Sequence, residues 1–441
     1  MSLSPAPAAA SPSAARGAAA PGDGASPGGA PRAACRTLLD HPDLAPRLTP
    51  AHRELGERAR LMFARLPRAA RPAGPAGHPG AETPAQGEAG GGGPGGHLLS
   101  HQRWRELGDG GLLGASLPPE LGGRGLGLTG ALVLCEAAAD LGDLGLSLGM
   151  HCQTEITAQW LATAHDAALR ERHLPAMLAG RLVGCACDTE PGGRLTATAE
   201  RDGGDLVVRA QKLYVVNGAE ADLCFVTLRL DGEMATVLVE KDRPGVRVTK
   251  VFDKLGTRAV DSARIDFDQV RVPAANLSLK RGVRQLMHWN KVMTAARFLM
   301  CADACLLHGR LLARMLRYGG ERQVAGRPLA AWPVNRQALA AAAADQALMQ
   351  AGIASRLELI ERGRNAVAEV AALKWFCVER TAAFAALCAE LQGGAGYMWD
   401  SEFLNAHAQI LGLKMAGGSS TTMKSIAGQA LAYREELEAL A

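Results

Sequence analysis

The apolar residues of this chain change period twice, and the two changes divide it into three. Up to Gly180 they recur at helical three-and-four spacing, in segments starting near Leu128 and covering Ile156 to Ala164 and Ala167 to Ala179. Beyond Gly180 they alternate. Asp202-Gly203-Gly204-Asp205 is followed by Leu206-Val207-Val208, the pattern of a tight hairpin, and Leu223 to Leu228 and Thr236 to Val239 are β-branched, apolar runs of strand length. After Asn276 the helical period returns, over residues 291–318, 336–362 and 366–391. Long antiparallel helices with short joins pack as a bundle. The expected class is therefore α+β: a helical domain over 33–180, a β domain over 181–276 and a helical bundle over 277–441.

The 441 residues suffice for two or three domains, and 48% hydrophobic with 21% charged residues is ordinary for a globular chain. Residues 1–32 are Ala, Pro, Gly and Ser with almost no large apolar side chain, so a disordered tail is expected there. It does not read as a secretory signal; it is acid-poor and carries Arg16 and Arg32, as a transit peptide would, and its bias fits a GC-rich bacterial coding sequence at least as well. Residues 67–98 end in GGGGPGG and read as a flexible insertion within the first domain. A net charge of +4 without a long basic block points to neither nucleic acid nor an anionic membrane. No uninterrupted apolar run approaches about 20 residues, so no transmembrane helix is expected. Ten cysteines sit mostly in apolar runs, and Cys185-x-Cys187 and Cys301-x3-Cys305 lack the second ligand pair that zinc needs. Buried reduced thiols in a cytoplasmic protein, with no metal, are the expectation.

Two glycine-rich stretches follow helices near the C-terminus. Gly393, Gly394 and Gly396 end an amphipathic helix with bare backbone that a ligand can approach, and Gly417-Gly418-Ser419-Ser420-Thr421 offers small capping residues before a last helix. A C-cap and an N-cap would look the same taken singly; the order helix, GGxGY, helix, GG[ST]S, helix is more specific. Upstream stand LPPELGGRGLG before a helix bearing Glu136, then CACDTEPGG opening the β region, KLGTRAVDSARIDFDQVRVPAANL closing it, and GGERQVAGRPLAAWPVNRQ between the first two bundle helices. Together these resemble the acyl-CoA dehydrogenase family of flavoproteins, from about Trp104 to the end. The resemblance implies an N-terminal helical domain, a middle β domain and a C-terminal four-helix bundle. It also implies FAD, an acyl thioester of CoA or a carrier protein as substrate, and a homodimer or homotetramer. Cofactor contacts are implied at Thr189, Tyr214, Val216, Arg322, Gly393, Gly394, Ser419 and Ser420. Arg322 would meet the pyrophosphate across a subunit interface, where a guanidinium fork suits a phosphate.

The family's reaction needs a flavin to receive hydride from the thioester β-carbon, a polarised carbonyl and a carboxylate to take the α-proton. The positions that usually supply that carboxylate are here Gly417 and about Asn290, and neither accepts a proton. Gly192-Gly193-Arg194 replaces the family's GSD, Tyr214 and Val216 replace a tryptophan and a hydroxyl residue, Glu390 a glutamine, and Ala408-Gln409 an Arg-Asp pair. Tyr214 can still stack on a ring. Candidate substitute bases are Asp188, Glu190 and His288, set against plain structural roles for each. Three readings follow: a flavin oxidoreductase with another base or a related reaction such as oxygenation, in secondary metabolism; a non-catalytic or half-site subunit in a heteromer; and a binding protein that has lost the flavin.

Overall fold

The computed structural model describes residues 37–66, 98–164 and 166–438. The expected N-terminal tail lies outside these, as does all but the last residue of the Pro/Gly-rich insertion.

The first helices are α1 (Pro50–Phe63), α2 (His101–Asp109), α3 (Gly127–Ala139) and α4 (Gly145–Met150). The last runs without a break through a π-helical stretch, His151–Ala158, into α5 (Gln159–Ala164), followed by α6 (Ala167–Leu178). Asp166 caps α6 by accepting the Leu169 N–H at 2.8 Å. Glu136, which the sequence places on α3, is buried and accepts the Leu39 N–H at 3.0 Å, so it ties the start of the described chain to this domain.

Seven strands follow: β1 (Gly184–Cys187), β2 (Thr198–Asp202), β3 (Asp205–Val216), β4 (Leu223–Leu230), β5 (Glu233–Glu240), β6 (Val246–Val251) and β7 (Ser262–Pro273). They form one sheet in the order β1-β4-β2-β3-β7-β6, with β5 on the other side of β4. β1 and β2 both run parallel to β4 and the other pairs are antiparallel. The β2–β3 hairpin turns on Gly203 and Gly204, with Asp202 paired to Asp205.

The bundle is α7 (Gly282–Glu321), a small hairpin of β8 (Gln323–Val324) and β9 (Arg327–Pro328), α8 (Pro333–Glu361), α9 (Val367–Gln392), α10 (Glu402–Met415) and α11 (Ser420–Glu438). By length and composition α7 could cross a membrane, which the sequence reading did not anticipate, but 89% of its most apolar window is buried inside the fold. It is the core rod of the bundle. One apolar core joins the N-terminal helices to α7–α10, a second fills the β domain, and a third forms the seam where Trp160, Phe225 and Leu238 meet Val292, Met293 and Ala296 of α7. The candidate site lies at this seam.

Candidate functional site

β1 delivers Asp188, Thr189 and Glu190 to a short turn in which Gly192 and Gly193 have φ of +74° and +70°. Glu190 is buried and its oxygens are occupied. Its carboxylate lies 2.6 Å from the Lys212 Nζ, accepts the Thr196 N–H and hydroxyl at 2.6 Å each, and accepts the Ala197 N–H at 3.1 Å. Burial alone would raise its pKa, but the Lys212 and Thr196 bonds bring it below the ordinary value. Such a carboxylate pins a corner and takes no proton near neutral pH.

Asp188 is placed differently. It accepts the Thr227 hydroxyl at 2.5 Å and the Trp289 indole N–H at 3.2 Å, which bridges the sheet to the start of α7. Desolvation raises its pKa, against the opposing pull of Thr227, Lys212, Trp289 and Arg297. Trp289 also carries the Arg297 guanidinium 5.4 Å from its ring centroid. Arg297 is 2% exposed and donates from Nε to the Gly417 carbonyl at 2.8 Å. Burial pushes it down to about 10, with Asp188 acting in the opposite direction. Beside it Lys374, wholly buried, donates to the Ala416 and Gly418 carbonyls at 2.6 and 2.7 Å and is pushed down to about 8 by burial. Three successive carbonyls of the 416–418 turn are thus held by two buried cations.

The structure therefore brings Asp188 and Gly417 to one place, joined through Trp289 and Arg297. Gly417 has φ of +63°, and a Cβ there would meet the Met300 sulfur at 3.0 Å. Asn290 stands about two turns before Arg297 on α7, half-buried, its carbonyl accepting the Thr294 hydroxyl. The α7 residue that reaches Gly417 is Arg297. His288 is buried with Nε2 2.7 Å from the Thr163 hydroxyl of α5. Trp289, Arg297 and Lys374 escaped the sequence reading, although a lone arginine inside the apolar run VMTAARFLM was a signal for a buried charge with a task.

The expected cofactor residues fall into two groups. Thr189 is exposed at the seam, and Ser419 and Ser420 open α11 beside Gly417. Tyr214 has φ of +54° within a bulge of β3, unusual for a bulky residue, and its ring is 62% exposed while packed 4.9 Å from Phe252. Such a presented ring fits a flat cofactor. Val216 packs against the π stretch, its carbonyl accepting the Cys152 thiol at 3.7 Å. Arg322, Gly393 and Gly394 lie at the opposite end of the bundle, where Tyr318 of α7 reaches the Gln392 carbonyl at 3.5 Å. The helix from Arg297 to Arg322 measures roughly 37 Å at 1.5 Å per residue. There Gly393 has φ of +71°, and a side chain added at either glycine would meet nothing within 4 Å.

Three successive segments match the acyl-CoA dehydrogenase N-terminal domain (residues 95–181), middle domain (188–270) and C-terminal domain (280–432). The chain belongs to the acyl-CoA dehydrogenase family. It is 26% identical to the long-chain specific acyl-CoA dehydrogenase of Rattus norvegicus mitochondria over 342 residues, 74% of this chain and 78% of the relative. It is 28% identical to the benzylmalonyl-CoA dehydrogenase of Aromatoleum aromaticum over 339 residues, 73% and 87% of the two. The fold matches a glutaryl-CoA dehydrogenase from Mycobacterium smegmatis in complex with FADH2 at a TM-score of 0.75 and 21% identity, covering 90% of this chain and 98% of that one. As an acyl-CoA dehydrogenase family member the chain is an acyl-CoA dehydrogenase-like, FAD-dependent oxidoreductase.

Proposed function

We propose that this protein oxidises an acyl thioester at its α,β-bond with Asp188 taking the α-proton. The observation behind the reading is the position of Asp188: an enclosed carboxyl with a raised pKa, bridged by Trp289 to the arginine that holds Gly417. A carboxylate whose pKa is raised is a better base than an ordinary aspartate. Glu190 is committed to Lys212 and Thr196, and His288 is engaged with Thr163, which leaves Asp188 as the candidate best suited to the task. Bound FAD supplies the hydride acceptor. Tyr214, Thr189 and Ser419 would border its ring system, and Trp289 and Arg297 keep the proton acceptor oriented and partly stripped of water.

The two separated groups of cofactor residues support a dimer or dimer of dimers, in which Arg322 and Gly393-Gly394 serve a cofactor held mainly by a neighbouring copy. Tyr397, Met398 and Trp399, respectively 84%, 50% and 52% exposed beside those glycines, suit a covered face. A cytoplasmic location in a bacterium, and a role in secondary metabolism with a CoA- or carrier-bound acyl group, fit the same reading. The missing carboxylate at Gly417 keeps a half-site subunit as the second reading.

The test is Asp188→Asn in protein carrying FAD. Flavin content should be retained and desaturation of a responsive acyl thioester should fall about 100- to 10,000-fold. In wild type, activity should be lost as pH drops through a pKa above the ordinary aspartate range. An Asp188→Asn enzyme within threefold of wild type would sink the assignment. Activity recovered only on adding a homologous second subunit would favour the half-site reading.

A further inference from the structure

Where α3, the π-helical stretch and α7 meet, four side chains of metal-ligand type share the helical core. Cys135 Sγ lies 3.8 Å from His151 Nε2, which lies 2.9 Å from Asp303 Oδ2, and all three ligand atoms fall within 4.8 Å of one another. Glu155 lines the same small cavity as Cys135 and His151, a space of about 10 Å³, close to one water-sized sphere. His151, Asp303 and Glu155 are 5%, 1% and 2% exposed. Two carboxylates are therefore buried near one imidazole, which pairs with Asp303, and among the described residues no lysine or arginine forms an ion pair with either. Buried anions are ordinarily paired or bound to a metal. Two hydroxyls help Glu155, Ser116 at 2.8 Å and Thr154 at 3.2 Å, but a hydroxyl brings no charge. The local helix is also π-helical, a conformation that recurs at functional sites because it aims side chains an α-helix would turn away.

We propose that Cys135, His151 and Asp303 bind one divalent transition-metal ion of the zinc type, with Glu155 or a water in the cavity as the fourth ligand. The donor set of thiolate, imidazole and carboxylate suits zinc, and bonds of about 2.0–2.3 Å reach atoms spaced as these are. Binding releases the thiol proton to solvent and takes His151 through a ring nitrogen that carries no proton, leaving the ion with ligands from three helical segments. The site joins the N-terminal helices to the bundle and is independent of the acyl-thioester reading. The cluster of Cys185, Cys187 and Cys224, three buried thiols with Cys185 3.6 Å from each of the others, is the competing thiol set from which the experiment separates this site.

The experiment titrates the full chain, stripped with chelator under anaerobic conditions, with cobalt(II). One equivalent should give tetrahedral ligand-field bands and a thiolate-to-cobalt charge-transfer band, and zinc should displace it and raise the melting temperature. Cys135→Ser should abolish the charge-transfer band and weaken binding on the order of 100-fold. Asp303→Asn should weaken binding but keep the band, and Cys224→Ser should change neither. Wild-type protein giving no charge-transfer band would overturn the proposal without recourse to any variant. So would a band that survives Cys135→Ser or disappears in Cys224→Ser.

Discussion

The two ends of α7 are built on opposite plans. At the first, Asp188, Trp289, Arg297, Lys374 and the 416–418 turn are locked together by hydrogen bonds within one chain, and both cations are buried. At the second, Arg322 and Gly393-Gly394 stand in the open next to exposed aromatic residues. Interior charges need hydrogen-bond partners; Lys374 and the Nε of Arg297 find theirs on the 416–418 turn, while Arg297 Nη1 is buried with none among the described residues, so the first end is ordered mainly by the chain's own folding. The second holds nothing of comparable internal order. A surface rich in exposed Tyr and Trp with bare glycine backbone gains its order from what lies against it.

This contrast predicts that damage at the first end shows in stability and damage at the second in binding. Arg297→Leu leaves the Gly417 carbonyl without its charged donor, and should lower stability by about 2–3 kcal/mol, read from denaturant melts. A loss below about 0.5 kcal/mol would mean that the turn holds without it. Lys374 gives a pH signature of similar size. Its pKa is about 8 in the fold and 10.5 when exposed, so between these values the unfolded chain binds more protons and stability should rise with pH. Lys374→Met should remove that slope, worth up to about 3 kcal/mol. An unchanged slope in the variant would show that burial does not lower the Lys374 pKa.

Smaller effects sharpen the comparison. Gly417→Glu must adopt φ of +63° against Met300, which should cost about 1–2 kcal/mol. In the wild-type background the new carboxylate should add little desaturation, but combined with Asp188→Asn it should recover part of the lost turnover. Recovery in neither background would place the reacting carbon elsewhere. At the open end, Arg322→Ala should leave the unfolding free energy within about 0.5 kcal/mol while weakening FAD binding about tenfold. A variant that loses stability without losing FAD would reverse the assignment of the two ends.

Much of the framework could be read from residues near each other in sequence. The Asp202–Asp205 hairpin, β4, β5, α8 and α9 follow from local period and turn chemistry. Asp188 was also within reach, because it sits in the CACDTEPGG stretch. What local sequence does not carry is register between distant elements. That Arg297, not Asn290, meets Gly417 depends on how α7 slides past the turn after α10, a contact 120 residues apart in the chain. The third thiol beside Cys185 and Cys187 appears only because β1 runs parallel to β4 with Cys185 opposite Cys224. The π-helical stretch has no compositional mark that separates it from the α-helix on either side.

The unbroken 40-residue course of α7 also makes helical phase a constraint in its own right. Each residue turns the helix by about 100°, so one residue inserted midway would swing everything beyond it to another face while adding only about 1.5 Å of length. The apolar face that α7 turns to α8 and α9 would then point to water and Tyr318 would leave Gln392, though every residue at both ends remained. Four residues inserted together would nearly restore the phase, at a cost of about 6 Å in reach. In this rod the number of residues between the two ends matters as much to the structure as their identity.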